Sequence, residues 1–238
     1  MSGLVQFVNQ HRTKKQDKDY NFQCLRGGKF LFQDKNQFVD IYAQNIHDDP
    51  PLSLGFRAPR CVRAPFFLDI DLRSLHEINV PDVTLVEVAH ELLTHLKTIL
   101  PENTDVWRVI LTRRKESYWK EKLQRFCGGF HVYIPNLYLE LETLRTFRQN
   151  CLADTYWVNL FKPFHVTNPP DDILDSSVCS RSNGMLLVGM NKPHANGNGK
   201  HSPHFILFLG TWRNAWFQES SAEDGGGWDF TPRVASGK

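Results

Sequence analysis

No stretch of the sequence approaches the ~20 consecutive apolar residues needed to cross a bilayer, so a membrane-spanning helix is not expected. The N-terminus, MSGLVQFVNQHRTKKQ, turns polar too early for a secretory signal, and an intracellular location is the expectation. Cysteine is sparse. The five residues Cys24, Cys61, Cys127, Cys151 and Cys179 are odd in number, scattered and without a C-x-x-C pair, which argues against a disulfide framework and a cysteine-based zinc site. Charge of one sign is also lacking: a net charge of +2 is too small to indicate a nucleic-acid partner by itself. What the 238 residues do have is 41% hydrophobic content and 12% aromatics, enough to bury a substantial core.

The order of elements can be read from periodicity. Lys29-Phe30-Leu31-Phe32, the polar run Gln33-Asp34-Lys35-Asn36, and Gln37-Phe38-Val39-Asp40-Ile41-Tyr42 read as a hairpin. The run APFFLDIDL, residues 64–72, reads as a strand. A helix is expected over residues 81–100, with Thr84 and Glu87 as a capping box and Val86, Ala89, Leu93, Leu96 and Leu100 as its apolar face. Strands follow at residues 106–111 and 129–134, the second ending at Pro135. A helix then runs from about Leu139 to Leu152, and apolar strands lie at residues 185–189 and 204–209. From residue 66 onward the succession is strand, helix, strand, strand, helix, strand, which predicts an α+β fold with an RNA-recognition-like βαββαβ core and an N-terminal β-hairpin addition. Residues 1–220 are expected to form a single domain, with residues 1–60 as the addition and 61–210 as the core. Residues 221–238 are expected to be a tail, and the Gly/Asn-rich stretch HANGNGKHSPH a loop.

Two acids in a core-like strand need an explanation. Alternation puts Phe66, Leu68, Ile70 and Leu72 on one face and Phe67, Asp69 and Asp71 on the other. Like charges roughly 7 Å apart on a half-buried sheet repel and are costly to desolvate, which a divalent cation would relieve; the plainer alternative is an edge strand whose polar face meets solvent. In GGFHVYIP, residues 128–135, His131 shares a face with Gly129 on an otherwise core-like strand, and the two glycines would let a phosphate approach the backbone. Asp175, after the apolar Ile173-Leu174, could complete a three-carboxylate site or serve as a turn aspartate. Lys192, beyond the strand at residues 185–189, could serve as a point charge for phosphate or be an exposed loop lysine.

Together FFLDIDL, GGFHVYIP and LDSSV…LLVGMNK resemble the three motifs of the archaeo-eukaryotic primase superfamily: an apolar strand with D-x-D, a small-x-His strand and an apolar-Asp segment. The likeness is greatest to primase domains of large DNA viruses of the poxvirus and asfarvirus type and to eukaryotic primase-polymerases, and covers about residues 60–195. It implies a metal-dependent DNA primase or primase-polymerase that makes or extends a primer on single-stranded DNA from nucleoside triphosphates. By this resemblance Asp69, Asp71 and Asp175 would be catalytic and bind two Mg²⁺ or Mn²⁺ ions, while Gly129, His131, Lys192 and Arg181 would hold the incoming nucleotide. A viral source would place the protein in the host cytoplasm or nucleus. No helicase-type phosphate loop is present in the sequence, so unwinding is expected from another chain, a replicative helicase acting in trans, or from sequence beyond these residues. The sequence departs from the family pattern in having Asn183 and Leu186 where some relatives carry arginines, and in lacking a Cys/His zinc module after the catalytic region.

Arg57, Arg60 and Arg63 precede the D-x-D strand. Arg113, Arg114, Lys115, Lys120, Lys122 and Arg125 surround Tyr118 and Trp119, a mixture of bases and aromatics that suits a single strand of nucleic acid and also a solvated basic loop. His90-Glu91-Leu92-Leu93-Thr94-His95 imitates a zinc-protease helix but has one residue too many, leaving its histidines about 140° apart around a helix. Clustered carboxylates also serve metal-dependent nucleases, and a degenerate fold could bind nucleic acid without chemistry; both are kept as alternatives.

Overall fold

The computed structural model describes residues 3–16, 20–24, 27–45, 54–56, 63–100, 106–114, 116–179, 185–186, 204–213 and 216–219. In chain order the elements are α1 (Gly3–Gln10), β1 (Phe22–Cys24), β2 (Lys29–Phe30), α2 (Lys35–Asn45), β3 (Leu54–Phe56), β4 (Arg63–Ser74), α3 (Asp82–Ile99), β5 (Trp107–Arg114), β6 (Tyr118–Lys120), β7 (Arg125–Glu140), α4 (Leu141–Ala153), α5 (Tyr156–Asn159), α6 (Pro170–Ile173), β8 (Met185–Leu186), β9 (His204–Arg213) and β10 (Trp216–Glu219). The chain divides into two compact units. One is drawn from Met1–Cys61 and Arg181–Phe205, the other from Val62–Ser180 and Ile206–Lys238. No helix among the described residues is long and apolar enough to cross a membrane.

The first unit holds a four-stranded sheet in the order β2-β1-β3-β8. Leu4, Phe7, Val8, Phe22, Phe30, Phe32, Phe38 and Leu54 form its core, in which the rings of Phe32 and Phe38 stack at 4.4 Å. The expected hairpin is present one strand earlier than the sequence indicated: Phe22 pairs with Phe30 and Gln23 with Lys29. Residues 37–42 are helical instead. Phe38, Ile41 and Tyr42 fall at i, i+3 and i+4 as well as alternating loosely, and Asp34 decides the matter: its side chain accepts the Gln37 N–H at 3.0 Å, an N-cap bond that starts α2.

The second unit holds a six-stranded sheet in which β10, β9, β5, β7 and β4 follow one another and β6 pairs with β7, with β10–β9, β5–β7, β7–β4 and β6–β7 antiparallel. Its core joins one face of this sheet to helices α3 and α4, with Phe66, Leu68, Ile70, Leu72, Phe130, Val132 and Ile134 buried against Leu85, Val88, Leu92, Leu96, Leu144 and Phe147. Each such side chain contributes roughly 1.5–3 kcal/mol over exposure. The helical face of α3 is shifted from the one expected. It begins at Asp82 after Pro81 with no side-chain cap bond, so Thr84 and Glu87 do not form a capping box, and Val86 and Leu100 pack only at its margin.

Two further expectations are corrected. β7 continues through Pro135 to Glu140 because the chain absorbs the missing proline donor in an irregularity: the register passes from Pro65↔Tyr138 to Phe66↔Ile134, and Asn136 turns its amide onto the Arg108 N–H and the Val106 carbonyl, both at 2.9 Å. The strand expected at residues 185–189 contributes Met185 and Leu186 to the other sheet, beside β3. The core therefore has β5, β7 and β4 side by side, but the fourth strand of the expected βαββαβ arrangement is not in this sheet. The helix beginning near Leu139 starts at Leu141 and breaks after Ala153, with α5 as a separate turn. The fold is a mixed α/β one with antiparallel sheets.

Candidate metal centre

β4 and β7 are antiparallel partners in unbroken register from Phe66 to Ser74, with Asp69 directly opposite His131 and Asp71 opposite Gly129. Strand alternation then sets Asp69, Asp71 and His131 on the sheet face away from the helices. The same alternation brings in Thr112, opposite His131 on β5. Close pairing at Gly129 demands glycine, independently of any ligand: its φ is +142°, and a Cβ there would lie 2.0 Å from the Ile70 carbonyl oxygen. Thus the carboxylates owe their register to a residue that no side chain can replace.

Asp175 arrives by a different route. β4 is the edge of its sheet, and the segment at residues 166–175 runs along that edge as an irregular substitute strand. Isolated bridges join Ser74 to Val166 and Ile70 to Leu174. Between them the Asn168 amide accepts the Arg73 N–H at 2.8 Å and donates to the Asp71 carbonyl at 2.9 Å. Thr167 N–H donates to the Arg73 carbonyl at 2.8 Å, and Asp175 N–H to the Asp69 carbonyl at 3.2 Å. Arg73 itself reaches Asp172 at 2.7 Å. These bonds place one carboxylate oxygen from each of Asp69, Asp71 and Asp175 within 4.8 Å of the others.

All three carboxylates are half-buried, and at this spacing their repulsion is on the order of a few kcal/mol per pair before solvent screening. The donor set fits a hard divalent cation. An ion bound at ~2.1 Å per bond holds its ligand oxygens roughly 3–4 Å apart, so small side-chain rotations suffice, and an all-oxygen set selects magnesium, manganese or calcium over zinc.

His131 is buried, with Nε2 3.3 Å from Asp69 Oδ1. Its Nδ1 lies 2.8 Å from the Tyr133 hydroxyl. A carboxylate accepts only, so in the neutral ring Nε2 carries the proton toward Asp69 and Nδ1 accepts from Tyr133. Tyr133 was not singled out in the sequence, although its place two residues after His131, on the same strand face, is the signal that finds it. Phe67 packs on both rings, at 5.4 Å from His131 and 5.1 Å from Tyr133. Toward β6, burial raises the Tyr118 hydroxyl above its usual value, which the Arg114 guanidinium opposes and negative charge at Cys127 and Asp71 reinforces. Burial likewise raises the Cys127 thiol, opposed by Lys120 and reinforced by Asp71.

The structure thus gathers Asp69, Asp71, Asp175, His131 and Gly129. Arg63 is exposed at the start of β4 and pairs with Glu140 at 3.5 Å. Arg113 is committed to its own fold, with Nη1 on the Asp82 carboxylate and the Val80 carbonyl and Nε on the Arg114 carbonyl. Arg114 is buried at the end of β5, its guanidinium 4.7 Å over the Tyr118 ring. Arg57, Arg60, Lys115, Arg181, Lys192, residues 187–203 and the tail at 221–238 lie outside the described residues. The histidines of the zinc-protease lookalike face different partners, His90 meeting Glu91 and His95 meeting Asp154.

Comparison of the chain with curated proteins gives no match. A family model described as the C962R protein N-terminal AEP domain, AEP denoting archaeo-eukaryotic primase, matches residues 21–202. That span takes in the carboxylates, His131 and the edge segment that carries Asp175, and the chain belongs to this family of metal-dependent, primase-type nucleotidyltransferase domains.

Proposed function

We propose that the protein is the catalytic domain of a DNA primase or primase-polymerase, joining nucleotides to a primer on a single-stranded DNA template. The observation that carries this reading is the meeting of Asp69, Asp71 and Asp175 within 4.8 Å on one sheet face beside His131. Asp69, Asp71 and Asp175 would hold the divalent cations, read as a pair of Mg²⁺ or Mn²⁺ ions. When bound, such ions neutralise charge on the triphosphate and activate the attacking 3′-hydroxyl. The protein's own contribution is to hold groups still. The Asp69 carboxylate, which only accepts, keeps the proton of the neutral His131 ring on Nε2, the Tyr133 hydroxyl holds the ring from its Nδ1 side, and the half-buried Phe67 packs against both rings. With a nucleotide bound, His131 Nε2 would turn from Asp69 to its phosphates, which Lys192 would also meet.

Template contact is assigned to the exposed cations Arg63, Lys120 and Lys122 with Arg125, and to Trp119, which is 43% exposed and rests edge-on against Phe126 at 5.2 Å. Arg57, Arg60 and Lys115 belong to the same proposal by sequence position, and residues 1–220 are taken as one catalytic domain served by a helicase from another chain. The viral and primase-polymerase relationship suggested by the motifs also stands as a proposal.

The test is incubation with primed and unprimed single-stranded DNA, ribo- and deoxynucleoside triphosphates and Mn²⁺. Nucleotide incorporation that falls by about 10³-fold or more in Asp69→Asn and Asp71→Asn supports the reading. Strand cutting without incorporation identifies a nuclease, and tight DNA binding with neither activity identifies a non-catalytic module; either result overturns it.

A further inference from the structure

The peptide group joining Leu174 to Asp175 is gripped from both sides. On its amide side, Asp175 N–H donates to the Asp69 carbonyl at 3.2 Å. On its carbonyl side, Leu174 O accepts from Nε of Arg148, on α4, at 2.9 Å. The same guanidinium donates from Nη2 to the Asp171 carbonyl at 2.8 Å. Asp171 and Leu174 bracket the end of α6, where carbonyls lack helical partners, so Arg148 satisfies two of them with one rigid fork. Leu174 itself is fully buried and bridged to Ile70.

A peptide group is planar, so fixing its oxygen and its N–H fixes the direction in which the chain reaches the next Cα. Beyond that atom only the backbone φ of Asp175 and its two side-chain torsions separate the held peptide from the carboxylate. The position of the third carboxylate is therefore decided by Arg148 on one side and by β4, which carries the other two carboxylates, on the other. We propose that Arg148 is a positioning residue for the acidic cluster, setting Asp175 at the spacing from Asp69 and Asp71 that a shared divalent cation requires. This rests on reading the cluster as a metal centre. It assigns Arg148 a part in metal affinity in addition to any part in stability, since the two bonds it makes end on the backbone of the segment that delivers a ligand. A lysine has the charge but not the fork, and would keep one of the two bonds at most.

The test uses Mn²⁺ alone. Binding to the full chain is followed by the loss of the free-ion electron paramagnetic resonance signal, with thermal unfolding measured in metal-free buffer alongside. Arg148→Met, which keeps the aliphatic stem, is expected to bind Mn²⁺ about 10-fold or more weakly while remaining folded, and Arg148→Lys to fall between it and wild type. In an Asp175→Asn background, adding Arg148→Met is expected to change affinity by less than about two-fold, because the residue acts through that carboxylate. Affinity unchanged in folded Arg148→Met, with only its unfolding temperature lowered, would show a purely structural tie and overturn the proposal, as would an undiminished loss in the Asp175→Asn background. Should Arg148→Met not fold, Arg148→Lys decides on the same terms. If Asp175→Asn alone leaves Mn²⁺ binding unchanged, or wild type binds none, it is the metal-centre reading that fails, and the proposal with it.

Discussion

Asp69 and Asp71 stand on a strand paired residue by residue with β7 from Phe66 to Ser74, whereas Asp175 stands at the end of a segment with two isolated bridges, held mainly by side chains. The first pair is fixed by backbone periodicity. The third carboxylate is fixed by Asn168, Arg148 and the Arg73–Asp172 pair, each supplying what a ladder would otherwise provide. The difference predicts two kinds of failure: damage to the strand should cost the fold, while damage to the segment should cost the site first.

The largest effect is expected on the strand side. Gly129→Val puts a branched side chain where even a Cβ meets the Ile70 carbonyl at 2.0 Å, at a φ that L residues avoid. It should destabilise the protein by more than about 4 kcal/mol or prevent folding, seen as loss of the cooperative transition in urea. On the segment side, Asn168→Ala removes one bond to the Arg73 N–H and one to the Asp71 carbonyl. A cost of about 1–3 kcal/mol is expected in urea unfolding, with a proportionally larger loss of nucleotide incorporation than of stability. If the two losses simply track each other, the contrast between strand and segment is broken.

A smaller change sharpens the strand side. Tyr133→Phe deletes only the hydroxyl on His131 Nδ1, and should leave the unfolding free energy within about 0.5–1.5 kcal/mol of wild type while reducing incorporation, since the histidine loses the partner that holds its ring beside Asp69. The last effect is confined to alkaline pH. Burial raises the Cys151 thiol on α4, the helix that carries Arg148, and also the Cys179 thiol beside it, which positive charge at Arg148 and Arg145 opposes. Because the folded values lie above the unfolded ones, this contribution is fully present below the unfolded thiol value of about 8.5 and is lost as pH rises above it, by at most about 1.4 kcal/mol per unit and per group. Cys151→Ala should flatten that decline in urea midpoints between pH 8 and pH 10, measured against the same variant at pH 7.

The same contrast explains what the sequence made legible. Period-two alternation is a backbone property, so the shared face of Asp69 and Asp71, and that of Gly129 and His131, could be read from FFLDIDL and GGFHVYIP, while the register that sets His131 opposite Asp69 could not. The neighbourhood of Asp175 has no periodicity, and a motif likeness pointed to it. Its supports were not legible because they join residues as far apart as Arg73 and Asn168, and an asparagine that imitates a peptide group has no local pattern. Asn136 at the Pro135 irregularity hid the true length of β7 for the same reason, and Asn21, whose amide brackets Phe32, does so in the first unit. Where a local signal did mislead, at residues 37–42, a pattern compatible with both periods was settled by one capping bond from Asp34.

From Asp69 to Ser74, then, the outer edge of the sheet is closed by the segment that ends in Asp175. A sheet edge left open is a template for pairing with another molecule. The segment is consequently a guard against self-association as well as a carrier of a carboxylate, and a lesion that frees it should be recognised at the bench by turbidity and oligomers.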